Sequence, residues 1–432
     1  MRKHLRRSRR KLFSIKAWKI RLVFWSGAFL VGGICALFAI LSARADHLFH
    51  HAASAYPLLP LVVTPLGLVA IVWLTRSLFP GSQGSGIPQA IAALEIRGKS
   101  ALLSMRIAFG KVLLTVIGLA CGASIGREGP SVHVGASIMF TLGRYAHFPA
   151  HYMERGLILA GSAAGIAAAF NTPLAGIVFA IEEMSKSFEQ RTSGIVITAV
   201  VFAGLVALTI LGQYHYFGSS DARMPDQLSA WTAIVVCGVV GGLLGGLFTL
   251  TLIHTTRLIT PFARSHPYVT AMLCGLSVAL IGWLSDYQTS GTGYQAAKDI
   301  ISETAEFNPL LPLLKIGATI ASYLSGIPGG IFAPSLAAGA GVGANLGHWL
   351  PVAPMSVMIL LGMVGYFSGV VQSPITAFVI VMEMTNNHDM LLALMATSFI
   401  AYGTSHLVCP TPLYHTLAQV FVNRADSTGN VR

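Results

Sequence analysis

The sequence predicts an all-α polytopic membrane protein. Hydrophobic residues make up 54% of the 432 positions and charged residues only 10%, whereas a soluble domain carries about 25% charged residues. The mean hydropathy is +0.69. The 45 glycines and 20 prolines lie among long apolar runs, a combination that helices tolerate better in lipid than in water. The composition therefore excludes a water-soluble globular protein.

Long apolar segments predict the membrane helices, and short polar or Gly/Pro stretches connect them. The long segments are 22–41, 57–79, 101–119, 153–184, 193–212, 231–257, 268–286, 308–324, 355–385 and 389–408. Four further pieces, 88–96, 129–143, 330–346 and 411–422, are too short or too glycine-rich to cross a hydrocarbon core of about 30 Å. We therefore expect broken or partial helices. The run 22–41 is longer than a signal-peptide core, so we expect it to be a retained span.

The basic residues are concentrated at the N-terminus. Residues 1–21 contain ten of the 28 Lys and Arg residues and no acidic residue, so the rest of the chain has 18 basic and 16 acidic residues. A basic segment directly before an apolar span is typical of a cytoplasmic N-terminus. The net charge of +12 therefore does not indicate a nucleic-acid partner. The five cysteines are scattered and form no CxxC pair, which predicts neither a disulfide framework nor a metal site, and we expect no cofactor.

The chain contains an internal repeat in two registers. At an offset of 201, residues 161–183 align with 362–384, so that Pro173 matches Pro374 and Glu182 matches Glu383. At an offset of 204, residues 111–136 align with 315–340. Duplicated halves with Gly/Pro-interrupted hydrophobic segments are typical of transporters whose site lies at the repeat interface. The alignment leaves open whether the halves are parallel or inverted.

Three glycine-rich segments have the composition of a loop that leads into a helix. They are GSGIP at 84–88, GREGP at 126–130 and GIPGGIFAP at 326–334. Glycine permits close backbone approach, and proline suits a first helical turn. Helix N-termini present unpaired N–H groups and a positive dipole end, so three of them converging would solvate a dehydrated anion. The alternative is that these residues mark only turns and close helix packing.

Two glutamates and one tyrosine are further candidates. Glu128 lies between glycine and arginine within an apolar region, where an ionisable residue indicates a functional site; it can occupy an anion site itself, or be protonated and swing away. The alternative is a salt bridge to Arg127. Glu183 aligns with Met384 and lacks an acidic counterpart, so it is either functional or an interfacial helix-end carboxylate. Tyr414 taken alone is typical of a membrane interface.

These segments, in this order, resemble the chloride channel and transporter (CLC) family. The resemblance extends from residue 84 to residue 414. It implies a homodimer whose subunits each contain about eighteen mostly tilted or broken helices, in two inverted halves with a pore of their own. We place the halves at 22–212 and 231–423, joined by the loop 213–230, with a basic segment at 1–21 and a tail at 424–432.

The resemblance also implies a role for each motif residue. Ser85 and Tyr414 would bind the central anion through their hydroxyls, together with the backbone amides of Ile331 and Phe332. Arg127, Gly129 and Ala333 would flank an outer anion site through their backbone. Glu128 resembles the gating glutamate and Glu183 the internal proton-transfer glutamate. The family's nitrate-preferring plant members carry proline at the position of Ser85, so serine favours chloride. Gln89 departs from the glutamate that is common after GSGIP.

These observations predict a non-enzymatic, electrogenic chloride/proton antiporter in the cell inner (plasma) membrane. Its partners would be chloride, protons, lipid and a second subunit. The alternative is a passive, voltage- or pH-gated chloride channel of the same fold, which only Glu183 disfavours. An intramembrane hydrolase built on Ser85, or on Ser131 and His133, is a weaker reading. Residues two apart on a helix do not face each other.

Overall fold

The computed structural model describes residues 15–96, 101–145, 151–185, 190–212, 217–304 and 306–427. These residues form seventeen α-helices and one π-helix and no named β-strand. The helices are α1 Ile15–Ala55, α2 Pro60–Ser77, α3 Ile87–Glu95, α4 Met105–Ala120, α5 Glu128–Tyr145, α6 His151–Phe170, α7 Pro173–Phe179, the π-helix Ala180–Ser185, α8 Gln190–Leu211, α9 Leu228–Ser265, α10 Pro267–Leu284, α11 Tyr294–Ile301, α12 Leu311–Leu324, α13 Phe332–Trp349, α14 Met355–Val371, α15 Pro374–Met384, α16 Leu391–Val408 and α17 Leu413–Ser427.

The predicted all-α membrane fold is confirmed. Within the described residues, six helices are long and apolar enough to cross a membrane, and they include most of α1 and α9. The four short apolar pieces correspond to α3, α5, α13 and α17. Most of the basic N-terminal segment, residues 1–14, lies outside the described residues.

Two of the predicted apolar segments each contain more than one helix. The segment 153–184 divides into α6, α7 and the π-helix, and the segment 355–385 divides into α14 and α15. The breaks fall at Asn171 and Gln372, whose φ angles of 58° and 56° are left-handed. Pro173 and Pro374, which the repeat matches, follow the two breaks by two residues. Proline has no N–H group to donate to the preceding turn and clashes with it, so it interrupts a continuous helix. The two halves therefore share the position of a backbone break as well as matching residues.

The bounds of two other elements also differ from prediction. Helix α1 extends to Ala55, whereas the predicted apolar segment ends at residue 41. The more polar residues after residue 41 therefore belong to the same helix. Helix α11 contains eight residues and was not predicted as a separate element.

Glu182 and Glu383 each cap the N-terminus of a helix in the other half of the repeat. The Glu182 carboxylate accepts from the backbone N–H groups of Ile375 at 3.0 Å and Thr376 at 2.6 Å, at the start of α15. The Glu383 carboxylate accepts from those of Leu174 at 3.2 Å and Ala175 at 2.7 Å, at the start of α7. Carboxylates at helix N-termini satisfy orphan N–H groups and the helix dipole. These contacts agree with the interpretation of both residues as structural.

We expect Glu383→Ala to lower the free energy of unfolding by about 1 to 2 kcal/mol, because it leaves two N–H groups of α7 without their charged acceptor. The measurement is the midpoint of thermal unfolding in detergent. Glu306→Ala, which removes an exposed glutamate, is the control and should leave the midpoint unchanged. Equal midpoints for the two variants would mean that the cap contributes nothing.

Glycines bring the central helices into close contact. A methyl group added at Gly135 of α5 would overlap the carbonyl of Gly161 on α6, and one at Gly362 of α14 would overlap the backbone of Gly343 on α13. Small residues at helix crossings allow this approach in membrane proteins. The tightly packed pairs α5–α6 and α13–α14 support the two loops that precede Glu128 and Phe332.

Candidate anion-binding and proton-transfer site

The three glycine-rich loops are hydrogen-bonded to one another. Gly126 and Gly330 exchange two backbone hydrogen bonds of 2.7 Å, in an antiparallel bridge. Gly84 donates to the carbonyl of Ile327 at 3.1 Å and accepts from Gly329 at 3.3 Å. Because Gly126 and Gly330 are matched by the repeat, the chain runs in opposite directions through equivalent loops. The predicted convergence of the loops is therefore confirmed.

Each loop leads into a helix N-terminus. Helices α3, α5 and α13 begin at Ile87, Glu128 and Phe332, so their first-turn N–H groups lie near the junction of the loops. The residue before α3, Gly86, has a φ of 100°, and a methyl group there would lie 2.8 Å from His133 Cβ and 3.0 Å from the Gly129 carbonyl. Only glycine fits this close approach without strain.

The hydroxyls of Ser85 and Tyr414 are buried and available to a ligand. Ser85 is 1% exposed and Tyr414 is 0% exposed; the two hydroxyls lie close enough to interact with each other, and within the described residues neither meets the geometric criteria for a hydrogen bond. Ser85 Oγ lies against Gly129, and the Tyr414 ring centroid lies 5.6 Å from that of Phe332. Burying a polar group without a partner costs about 1 to 3 kcal/mol. An anion between these hydroxyls would remove this cost.

Phe332 and the neighbouring Ile331 are almost fully buried. The Phe332 side chain packs against three further aromatic rings, those of Phe170, Phe179 and Phe367. This packing fixes the start of α13. A helix N-terminus held in place can present backbone N–H groups to an anion without reorganising.

Glu128 is fully buried, and its carboxylate lies at the N-terminus of α13. A methyl group at Gly126 would overlap Glu128 Oε2 and lie 3.4 Å from the backbone nitrogen of Ala333. Oε2 of this carboxylate therefore lies near the first turn of α13. The guanidinium of Arg127 donates to the carbonyls of Ala39 at 2.7 Å and Ala169 at 3.4 Å. The guanidinium is therefore held by backbone carbonyls of α1 and α6.

Glu183 lies in the π-helix and is only 3% exposed. Its Oε2 accepts a short hydrogen bond from the hydroxyl of Ser373. The Nε2 atom of His415 lies 3.0 Å from the Glu183 backbone carbonyl and 4.0 Å from Oε1. An interfacial carboxylate would be exposed to water, so this burial disfavours the interfacial reading. π-helical turns are frequent at functional sites.

Sequence analysis missed Ser373 and His415. Ser373 is matched by the repeat to Thr172, and His415 follows Tyr414 directly. Neither position has a local sequence signal, because both contacts join residues about 190 or more positions apart.

Two buried lysines hold equivalent loops. Lys111 Nζ donates to the carbonyls of residues 82, 83 and 84, at 2.8, 3.2 and 3.0 Å. Lys315 Nζ donates to those of residues 289, 290 and 291, at 2.9, 3.5 and 3.0 Å. The tripeptide 84–86 therefore corresponds to Gly-Thr-Gly at 291–293, and both precede a short helix. The alignment of the two halves by sequence missed this third match. Its signal in the sequence is a hydroxyl residue between two glycines.

Each of these loops borders a cavity. Ser85 and Gln89 line one of about 240 Å³, and Thr292, Asp46 and Arg127 line another of about 520 Å³. The two cavities give access to the region of the loops.

Gln89 reinforces the loop that carries Ser85. Its side-chain amide nitrogen donates to the carbonyls of Gly81 at 2.8 Å and Gln83 at 3.2 Å. A glutamate can make these contacts only when it is protonated. The departure from the common glutamate therefore adds neutral donors at this loop.

Comparison with known proteins finds a family model and relatives that match most of this chain. Residues 66–406 match the sequence model of the family described as voltage gated chloride channel. The chain is 30% identical over 396 residues to the H(+)/Cl(-) exchange transporter ClcA of Vibrio cholerae serotype O1 (strain M66-2), covering 88% of this chain and 84% of the relative. It is also 30% identical over 379 residues to the transporter of the same name from Klebsiella pneumoniae, covering 84% and 79%.

Solved structures show the same fold. A slow cyanobacterial Cl-/H+ antiporter superimposes with a TM-score of 0.81 at 24% identity, covering 94% of this chain and 99% of the other. A CLC-type fluoride/proton antiporter superimposes with a TM-score of 0.79 at 21% identity, covering 92% and 96%. Because the family match spans most of the chain and includes all three glycine-rich loops, the chain belongs to the voltage-gated chloride channel family, also called CLC.

Proposed function

We propose that the protein is an electrogenic chloride/proton antiporter that moves Cl⁻ across the membrane in exchange for H⁺ through a pore within each subunit. The observation that carries the proposal is the combination of two buried carboxylates, Glu128 at a helix N-terminus and Glu183 beside Ser373 and His415. The relatives named H(+)/Cl(-) exchange transporter support it.

The anion would bind where the loops meet. The hydroxyls of Ser85 and Tyr414 donate to it, and the backbone N–H groups of Ile331 and Phe332 complete its coordination. An outer site is formed by the backbone of Arg127, Gly129 and Ala333. Neutral donors and helix dipoles bind an anion without a full opposing charge, which keeps its release fast.

The proton would use the two carboxylates in turn. Ionised Glu128 competes with chloride for the outer site, and protonated Glu128 leaves that site to chloride. Glu183 exchanges protons with the inner solution. A passive channel would share the anion site, but it would have no use for the buried carboxylate of Glu183.

We further propose that the protein is a homodimer in the cell inner (plasma) membrane, with its N-terminus in the cytoplasm. Exposed apolar side chains on α8 and α16, such as Leu205 at 51% and Leu392 at 65% exposure, need cover from lipid or from a second subunit. The halves at 22–212 and 231–423 remain our proposed division of the subunit.

The direct test is the reversal potential of the purified protein in a planar bilayer or in liposomes. We expect it to shift when the pH is changed on one side at a fixed chloride gradient, because each transport cycle moves both ions. Protein-free bilayers are the control. A reversal potential that follows the chloride gradient alone at every pH would establish a passive channel instead.

A further inference from the structure

His415 presents an N–H group to the buried carboxylate of Glu183. Its Nε2 lies 3.0 Å from the Glu183 backbone carbonyl and 4.0 Å from Oε1. A carbonyl oxygen can only accept a hydrogen bond, so Nε2 carries the hydrogen in this contact. Ser373 donates to Oε2 of Glu183. The N–H group of His415 therefore lies beside the other carboxylate oxygen, Oε1.

His415 is also the member of the pair that reaches the protein surface. Its side chain is 21% exposed, compared with 4% for that of Glu183. Gln419 and Asn423 follow at intervals of four residues on the same face of α17, and both are exposed. Helix α17 is not among the helices long and apolar enough to span the membrane. A polar face on a short terminal helix indicates that His415 borders water rather than lipid.

We propose that His415 relays protons between the inner solution and Glu183, an inference that rests on the proposed role of Glu183. A hydronium ion of the inner solution gives a proton to Nδ1 and becomes water, while Nε2 passes its proton to Oε1 of ionised Glu183; an O–H bond of hydronium and the Nε2–H bond break, the Nδ1–H and carboxyl O–H bonds form, and the ring ends neutral. The ring then returns to the Nε2–H tautomer through exchange with water or by rotation. The distance of 4.0 Å has to shorten by about 1 Å for a hydrogen bond to form.

Ser373 determines which carboxylate oxygen of Glu183 receives the proton. Its hydroxyl occupies Oε2 and leaves Oε1 as the oxygen that faces His415. Imidazole suits the task because it both accepts and donates a proton near neutral pH.

The test is His415→Gln, with proton and chloride fluxes measured together in proteoliposomes. Glutamine can still donate to the Glu183 carbonyl but cannot pass a proton through its side chain. We expect the proton flux to fall roughly tenfold or more while the chloride flux is retained. His406→Gln removes an exposed histidine from the neighbouring helix α16, and it should leave both fluxes unchanged. Full proton flux in His415→Gln would overturn the relay.

Chemical rescue separates a relay from a structural role. In His415→Ala, added imidazole should restore proton flux, because free imidazole can replace the lost ring at the surface. Failure of rescue together with a parallel loss of chloride flux would show that His415 only supports the fold, and the relay would be wrong. Glu183→Gln tests the underlying proposal: coupled proton flux in that variant would refute the role of Glu183 and the relay together. Loss in Glu183→Gln but not in His415→Gln would refute the relay alone.

Discussion

Glu128→Gln is expected to abolish proton transport while chloride transport continues. Glutamine has nearly the shape of a protonated glutamate but binds no proton, so the exchange of protons at the start of α13 stops. In the proposed mechanism its neutral side chain also no longer competes with an anion for the outer site, near which the carboxylate lies. We expect the proton flux to fall to the level of protein-free liposomes, and the chloride flux to lose its dependence on pH.

The measurement records chloride and pH simultaneously during efflux from proteoliposomes. Glu306→Gln changes an exposed glutamate away from the loops and should transport both ions as the parent does. Coupled proton transport that persists in Glu128→Gln would exclude Glu128 as the gating carboxylate. The outer anion site would then need another competitor.

The fold class and the anion loops could be predicted because their signals are local. An apolar composition with few charges indicates membrane helices whatever the tertiary arrangement. Glycine and proline determine backbone geometry within a few residues, so the starts of α3, α5 and α13 at Ile87, Glu128 and Phe332 were visible in the sequence.

The breaks and the extended helix could not be predicted from the same signals. Asn171 and Gln372 interrupt runs that are apolar on both sides, and hydrophobic periodicity does not register a single left-handed residue. Conversely, Asp46 lies inside α1 although it falls beyond the apolar segment 22–41. Its burial next to the loop of Gly291 shows that tertiary contacts overrode the local preference.

The partners of the functional residues depend on the tertiary fold. Ser373 meets Glu183 across 190 positions of sequence, and Lys315 holds a loop that precedes it by about 25 positions. These residues carry no motif of their own. The repeat predicted which segments are equivalent, but only the three-dimensional structure shows that the equivalent lysines perform the same task.

Glu183→Gln is expected to remove proton coupling in a different way from Glu128→Gln. The amide oxygen can still accept from Ser373, so the π-helix keeps its contact, but the side chain no longer carries a proton. Glu128 remains a carboxyl group that the outer solution can protonate. We therefore expect the proton flux to fall to the background level, the reversal potential to follow the chloride gradient alone, and the chloride flux to keep its dependence on outer pH.

Retained pH dependence distinguishes the two variants and assigns one carboxylate to each side of the proton path. Glu182→Gln is the matched control, because Glu182 is the adjacent carboxylate and caps α15. It should lower the stability of the protein without changing the ratio of chloride to proton transport. If Glu183→Gln still moved protons against a gradient, Glu183 would be a structural group held by Ser373, and the inner proton would need another route to Glu128.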